Sequence, residues 1–97
     1  IVECRAPFFL GTGSGQPQSQ SVRRGTSARL KATPGGDGPF RYQWYRGYTG
    51  NTNFPIAGAT SSELNTGAIE NYSTYWVRVS NACGSRDSAV AVVTPTN

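Results

Sequence analysis

Phe40-Arg41-Tyr42-Gln43-Trp44-Tyr45 and Tyr75-Trp76-Val77-Arg78-Val79-Ser80-Asn81 decide how this chain folds. In each run large apolar side chains recur at every second position: Phe40, Tyr42 and Trp44 in the first, Tyr75, Val77 and Val79 in the second. Successive side chains of a strand point to opposite faces, so this period puts each set on one buried face. Ala28, Leu30 and Ala32 repeat the pattern within residues 25–32, GTSARLKA. No stretch of ten residues carries the i, i+3, i+4, i+7 spacing of an amphipathic helix. Outward from these runs, strands are expected at 6–10, 20–23, 26–33, 40–46, 61–66, 74–81 and 87–94. A further short one is expected at 54–56. Residues 34–39, PGGDGP, form a turn cluster between two of them. The fold class is therefore all-β, with seven or eight strands.

Trp44 lies twelve residues after Ala32 and thirty-three before Val77. In an immunoglobulin-type sandwich a tryptophan on strand C packs across two cysteines, one on strand B and one on strand F. Here Ala32 and Val77 hold those two positions. Tyr75, Val77, Val79, Asn81 and Gly84 read Y-x-V-x-V-x-N-x-x-G, as the F strand of an I-set immunoglobulin domain does. The chain thus resembles an immunoglobulin-like domain over roughly residues 4 to 94, and more narrowly the modules of large secreted and surface proteins of bacteria. The resemblance implies a Greek-key sandwich with Trp44, Ala32, Val77, Tyr75 and Leu30 in the core. It implies little about partner, because this fold hosts many functions.

Ninety-seven residues make one domain, 1–97, expected to be one module of a longer chain. Position 1 is not methionine, and the opening IVEC and ending TPTN read as linker stubs. A sandwich this small buries only about 60–65% of its unfolded surface, so a covalent tie would help it. In the implied topology Cys4 precedes strand A and Cys83 sits in the F–G turn at the same end of the sandwich. A Cys4–Cys83 disulfide is expected. Closing a loop of that length is worth about 4–5 kcal/mol in the chain-entropy model. It places the domain in an oxidising compartment: extracellular, on the cell surface, or periplasmic.

The same alternation turns Arg41, Gln43, Tyr45, Trp76 and Arg78 outward on the C–F–G sheet. Strand G, with Ala89, Ala91 and Val93 inward, turns Val90 and Val92 outward beside them. Exposed aromatics next to arginine are the composition of a binding patch. A stack of Tyr45, Trp76 and Arg78 that merely shields the sheet is the competing reading.

Other chemistry has little support. Histidine is absent, and the five acidic residues (Glu3, Asp37, Glu63, Glu70 and Asp87) are scattered, so no catalytic, cofactor or metal site is expected. GTGSG at 11–15 lacks the following helix that a phosphate loop needs and reads as a break in strand A. Asp37 reads as a turn residue. Asn71-Tyr72-Ser73 is a glycosylation sequon, with Asn71 read first as a corner hydrogen-bonding residue. Lys31, the single lysine, points outward between Leu30 and Ala32 and is unsuited to a buried crosslink. Eight arginines give a net charge of +4, spread over both halves, which argues against nucleic acid. No apolar run is long enough for membrane insertion. Two function classes remain: a structural or adhesion module whose partners are proteins or neighbouring modules, and a carbohydrate-binding accessory module of a secreted enzyme, with polysaccharide as partner.

Overall fold

A computed structural model describes residues 4–9, 16–36 and 38–96. Among them are seven strands and no helix: β1 (Gln20–Arg23), β2 (Ser27–Lys31), β3 (Arg41–Arg46), β4 (Glu63–Ala68), β5 (Ser73–Asn81), β6 (Gly84–Asp87) and β7 (Ala91–Thr96). The larger sheet runs β1-β7-β5-β3, with β6 also on β5; the smaller pairs β2 with β4. β2 therefore bonds to β4 rather than to its neighbour in sequence, and the chain changes sheet between β2 and β3. That crossover is the Greek-key arrangement implied by the tryptophan spacing.

Period two places the core. β2 alternates strictly, with Ala28 and Leu30 buried and Arg29 and Lys31 exposed. Trp44 is fully buried and sits directly opposite Val77 across the β3–β5 ladder. Ala32, Leu30, Leu64, Ile69, Tyr75, Val79, Ala91 and Val93 complete the cluster. Burying each large aliphatic side chain is worth about 1.5–3 kcal/mol, so packing fills the space between Ala32 and Val77. The Trp44 indole Nε1–H donates to Ser61 O at 2.8 Å, so its donor is paired inside the core.

Three expected elements differ. Strand 6–10 reduces to an antiparallel bridge between Phe8 and Gly35, with paired N–H···O bonds of 3.1 and 2.8 Å. The Phe8 ring lies over Gly35, where a Cβ would come within 2.5 Å of it. Leu10, the glycine-rich break at 11–15, Asp37 and the outermost termini lie outside the described residues. Segment 54–56 is likewise a single bridge, Tyr45 to Pro55.

The last expected strand is split. β6 pairs Asp87 with Arg78, whereas β7 pairs Ala91 with Tyr75. Trp76 and Val77 are thus faced by three residues, Ser88, Ala89 and Val90, and the extra one is a β-bulge. The bulge shifts the alternation: Ser88 is buried and Ala89 is exposed, not inward as its parity implied. On the other flank, β1 runs parallel to β7, with Val22 half-buried against the core. Before that ladder starts, Gln16 Oε1 and Ser19 Oγ accept from the N–H groups of Ala89 and Val92. Side chains there supply hydrogen bonds that strand pairing does not.

Candidate interaction surface

The outer face of β3 and β5 is set by register. Tyr45 lies opposite Trp76 and Gln43 opposite Arg78. The Tyr45 and Trp76 rings stack with centroids 4.5 Å apart and planes 11° apart. The Arg78 guanidinium lies 5.4 Å from the Trp76 ring centroid. It also forms a two-pronged pair with Asp87, Nε to Oδ1 at 2.7 Å and Nη2 to Oδ2 at 3.1 Å. Hydrogen bonding to Asp87 raises the Arg78 pKa above its ordinary value, so this cation stays charged and engaged.

Trp76 is not exposed; its accessibility is 0%. The expectation of an open aromatic patch is corrected here, and the reason is the 47–56 loop. That loop turns at Gly47, whose φ of 109° favours glycine, and folds back across the sheet. Asn51 O accepts from the Trp76 Nε1–H at 3.1 Å, and Thr49 Oγ1–H donates to Ser88 O at 2.7 Å. Arg46 N–H donates to Phe54 O, Ile56 N–H to Trp44 O and Trp44 N–H to Ala59 O, so the segment also seals the free edge of β3. Gln43 Nε2 donates to both Trp44 O and Ile56 O at 2.9 Å. Gln43 is thus a strut within this cover.

Val90 and Val92 are half-buried along the β7 flank, and Tyr45 is half-buried under the loop. Of the expected face only Arg41 is open, opposite Ser80 at the far end of the ladder. Among the described residues the large apolar side chains most open to solvent are Tyr48, Phe54 and Tyr72, each 60% exposed. None was singled out from sequence, because loop residues carry no alternation that tells outward from inward. Tyr42 is half-buried, and burial raises its pKa above 10.0.

One end of the sandwich is clamped. Cys4 and Cys83 form a disulfide with Cα atoms 5.8 Å apart. Asn81 Nδ2–H donates to Arg5 O at 2.6 Å, while its Oδ1 accepts from Cys83 N and Gly84 N. One asparagine thus ties the β5–β6 turn to the N-terminal strap. Asn71 does not act as the expected corner group: its backbone carbonyl accepts from Ser73 Oγ, while no bond to its exposed side chain is found among the described residues. Among those residues no group of three histidine, cysteine, aspartate or glutamate side chains could hold a metal.

Solved structures similar to this chain include immunoglobulin domains. The chain superposes on the chimeric titin Z1Z2 functionalized with a KLER exogenous peptide from decorin, with TM-score 0.72, 21% identity and 98% of each chain covered. It superposes on the titin M10–obscurin-like 1 complex with TM-score 0.70, 23% identity and 95% of each chain covered. Against Sidekick-1 immunoglobulin domains 1-5 the TM-score is 0.73 at 22% identity, covering 99% of this chain and 21% of that one. At such identity the likeness shows the fold: this is an immunoglobulin-like domain. A family model described as Domain of unknown function (DUF8696) matches residues 12–97, and the chain belongs to that family. No curated protein matches the sequence.

Proposed function

We propose that the domain is a non-catalytic structural or adhesion module of an extracellular or cell-surface multidomain protein, I-set-like in type and bacterial in setting. The observation that carries this reading is where the chain enters and leaves. Cys4 is bound to the β5–β6 turn at one pole. Thr96 ends β7 at the other pole, where its carbonyl accepts from Arg24 N–H. Entry and exit at opposite poles suit a link in a linear array. Immunoglobulin-like domains of multidomain proteins such as titin and Sidekick-1 share the fold, which favours protein partners or neighbouring modules.

A disulfide spanning 79 residues favours an oxidising location. The covered aromatic stack disfavours the carbohydrate alternative. Sugars need a bare ring face, and Trp76 has Tyr45 stacked on it, Arg78 over it and no accessible surface. The test is replacement in the parent protein. Deleting the module should impair assembly or attachment, and an unrelated immunoglobulin sandwich in its place should restore a spacer role. Replacement that fails to restore it would indicate a specific contact surface. Deletion without any effect on assembly or attachment would sink the proposal.

A further inference from the structure

We propose that the cleft beside the disulfide is a binding site for a single carboxylate, an aspartate or glutamate side chain of a protein partner. This deepens the reading of the domain as an interacting module and rests on it. The cleft encloses about 350 Å³ between the start of β3, the end of β5 and the N-terminal strap. Arg41 and Ser80 line it as direct cross-strand partners, while Pro39, Ala82 and Cys4 form its walls.

Arg41 stands apart from several other arginines of the domain. Arg78 is committed to Asp87, Arg29 to Glu63, Arg24 to Glu70 O and Arg5 to the Phe8 ring. Neither the Arg41 guanidinium nor the Ser80 hydroxyl has a hydrogen-bond or ion-pair partner among the described residues. Two unspent polar groups therefore converge on one cleft with apolar walls. A guanidinium fork matches a carboxylate through two parallel N–H···O bonds, and the hydroxyl can supply a third. One cation suits a monoanion better than a phosphate.

The cleft is also preformed. Cys4 is fixed covalently to Cys83, and the Asn81 side chain bonds the strap on one side and the turn on the other. Little ordering is left for binding to impose. Its volume sits at the small end of ligand sites, enough for one side chain and its flanking backbone. A polyuronate would need a row of cations or an open aromatic platform, and the nearest aromatic stack is covered. The net charge of +4 favours encounter with an acidic partner.

The experiment uses the oxidised full chain, labelled with ¹⁵N and titrated at low salt with acetyl-Gly-Glu-Gly-amide and its Gln counterpart. The Glu peptide should give saturable shifts at the amides of Arg41, Ser80, Asn81 and Ala82. The Gln peptide, and the Glu peptide on Arg41→Gln, should bind at least about tenfold more weakly, as loss of a charge-assisted pair requires. The Arg41→Gln melting temperature should match that of the parent, since Arg41 is exposed and unpaired. Equal shifts with both peptides, shifts centred instead on Arg23, Arg46 and Arg86, or unchanged affinity in Arg41→Gln would overturn the site. A trigalacturonate that binds the same residues more tightly than the Glu peptide would make it a site for acidic polysaccharide and overturn the protein partner. The titration reads the cleft alone, whereas deletion of the module in the parent reads the module whether or not the cleft binds a carboxylate, so the site and the module reading fail separately.

Discussion

Val77 and Ser88 exchange two hydrogen bonds across the bulge that splits the last strand. Ser88 N–H donates to Val77 O at 2.8 Å, and Val77 N–H donates to Ser88 Oγ at 2.9 Å. The hydroxyl replaces the backbone carbonyl that the bulge has displaced. It donates onward to Ala89 O, and the Ser88 carbonyl accepts from Thr49. One buried serine thus holds the bulge, completes the β5 ladder and anchors the loop that covers Trp76.

Ser88→Ala should destabilise the domain by about 1–3 kcal/mol, because the buried Val77 N–H loses its acceptor and no water can reach it. Urea unfolding would measure this. A variant as stable as the parent would mean that backbone pairing alone holds the bulge.

Trp76 and Tyr45 should behave differently although they touch. Trp76 is fully buried, so Trp76→Ala should cost about 3–5 kcal/mol, as large aromatic truncations in cores do. Tyr45 is half-buried, and Tyr45→Ala should forfeit chiefly the ring stack and part of its burial, about 1–2 kcal/mol. Equal and negligible costs in chemical denaturation would mean that the loop does not cover the stack in solution.

The sandwich was legible because its signals are local. Period two in β2, β3 and β5 fixes which side chains turn inward, and Trp44 with Ala32 and Val77 fixes which strands meet. The Cys4–Cys83 pairing followed from that topology. The covering of Trp76 was not legible, since it depends on Asn51 and Thr49 in a loop without periodicity. The bulge was hidden for another reason. In Ala89-Val90-Ala91-Val92-Val93 both parities are apolar, so the pattern carries no phase that a one-residue slip would break. Ser88 just before that run was the one available hint.

The outer edge of β4 predicts a change in association. No strand flanks β4 opposite β2 among the described residues. Ser61 Oγ donates to Glu63 O and accepts from Glu63 N, and Asn65 Oδ1 accepts from Gly67 N. Those bonds engage backbone groups that an incoming strand would need. The double change Ser61→Ala with Asn65→Ala should alter stability by only about 1 kcal/mol, since the bonds are exposed. It should raise self-association, seen by sedimentation at increasing concentration. A double variant that remains as monomeric as the parent would show that other features of the edge prevent pairing.

Alkaline stability should depend on Tyr42. Burial disfavours its phenolate, so the folded pKa lies above the unfolded value near 10.0. Its contribution is fully present below pH 10 and is lost as pH rises through the folded pKa, because the unfolded chain ionises first. Tyr42→Phe should therefore move the alkaline unfolding midpoint upward. A midpoint that stays in place or falls in the variant would assign alkaline unfolding to other groups.

The disulfide should govern how the domain responds to load. Tension applied at the two termini passes through Cys4–Cys83 and bypasses the 79-residue span between them. Only the tails and residues 84–97 can then extend, a contour length of about 60 Å at roughly 3.5 Å per residue. The reduced chain of 97 residues should extend to about 340 Å by the same measure. Reduction should also lower equilibrium stability by about 2–5 kcal/mol, as loss of a native disulfide does in small domains. Single-molecule pulling with and without reductant separates the two cases. A long extension from the unreduced domain, or two thiols that alkylate before reduction, would show that the bond is absent and would remove the main argument for an oxidising location. A short extension that lengthens only on reduction would mean that the disulfide limits how far the module gives way under load, to a few nanometres, by keeping the span from Cys4 to Cys83 out of the line of force.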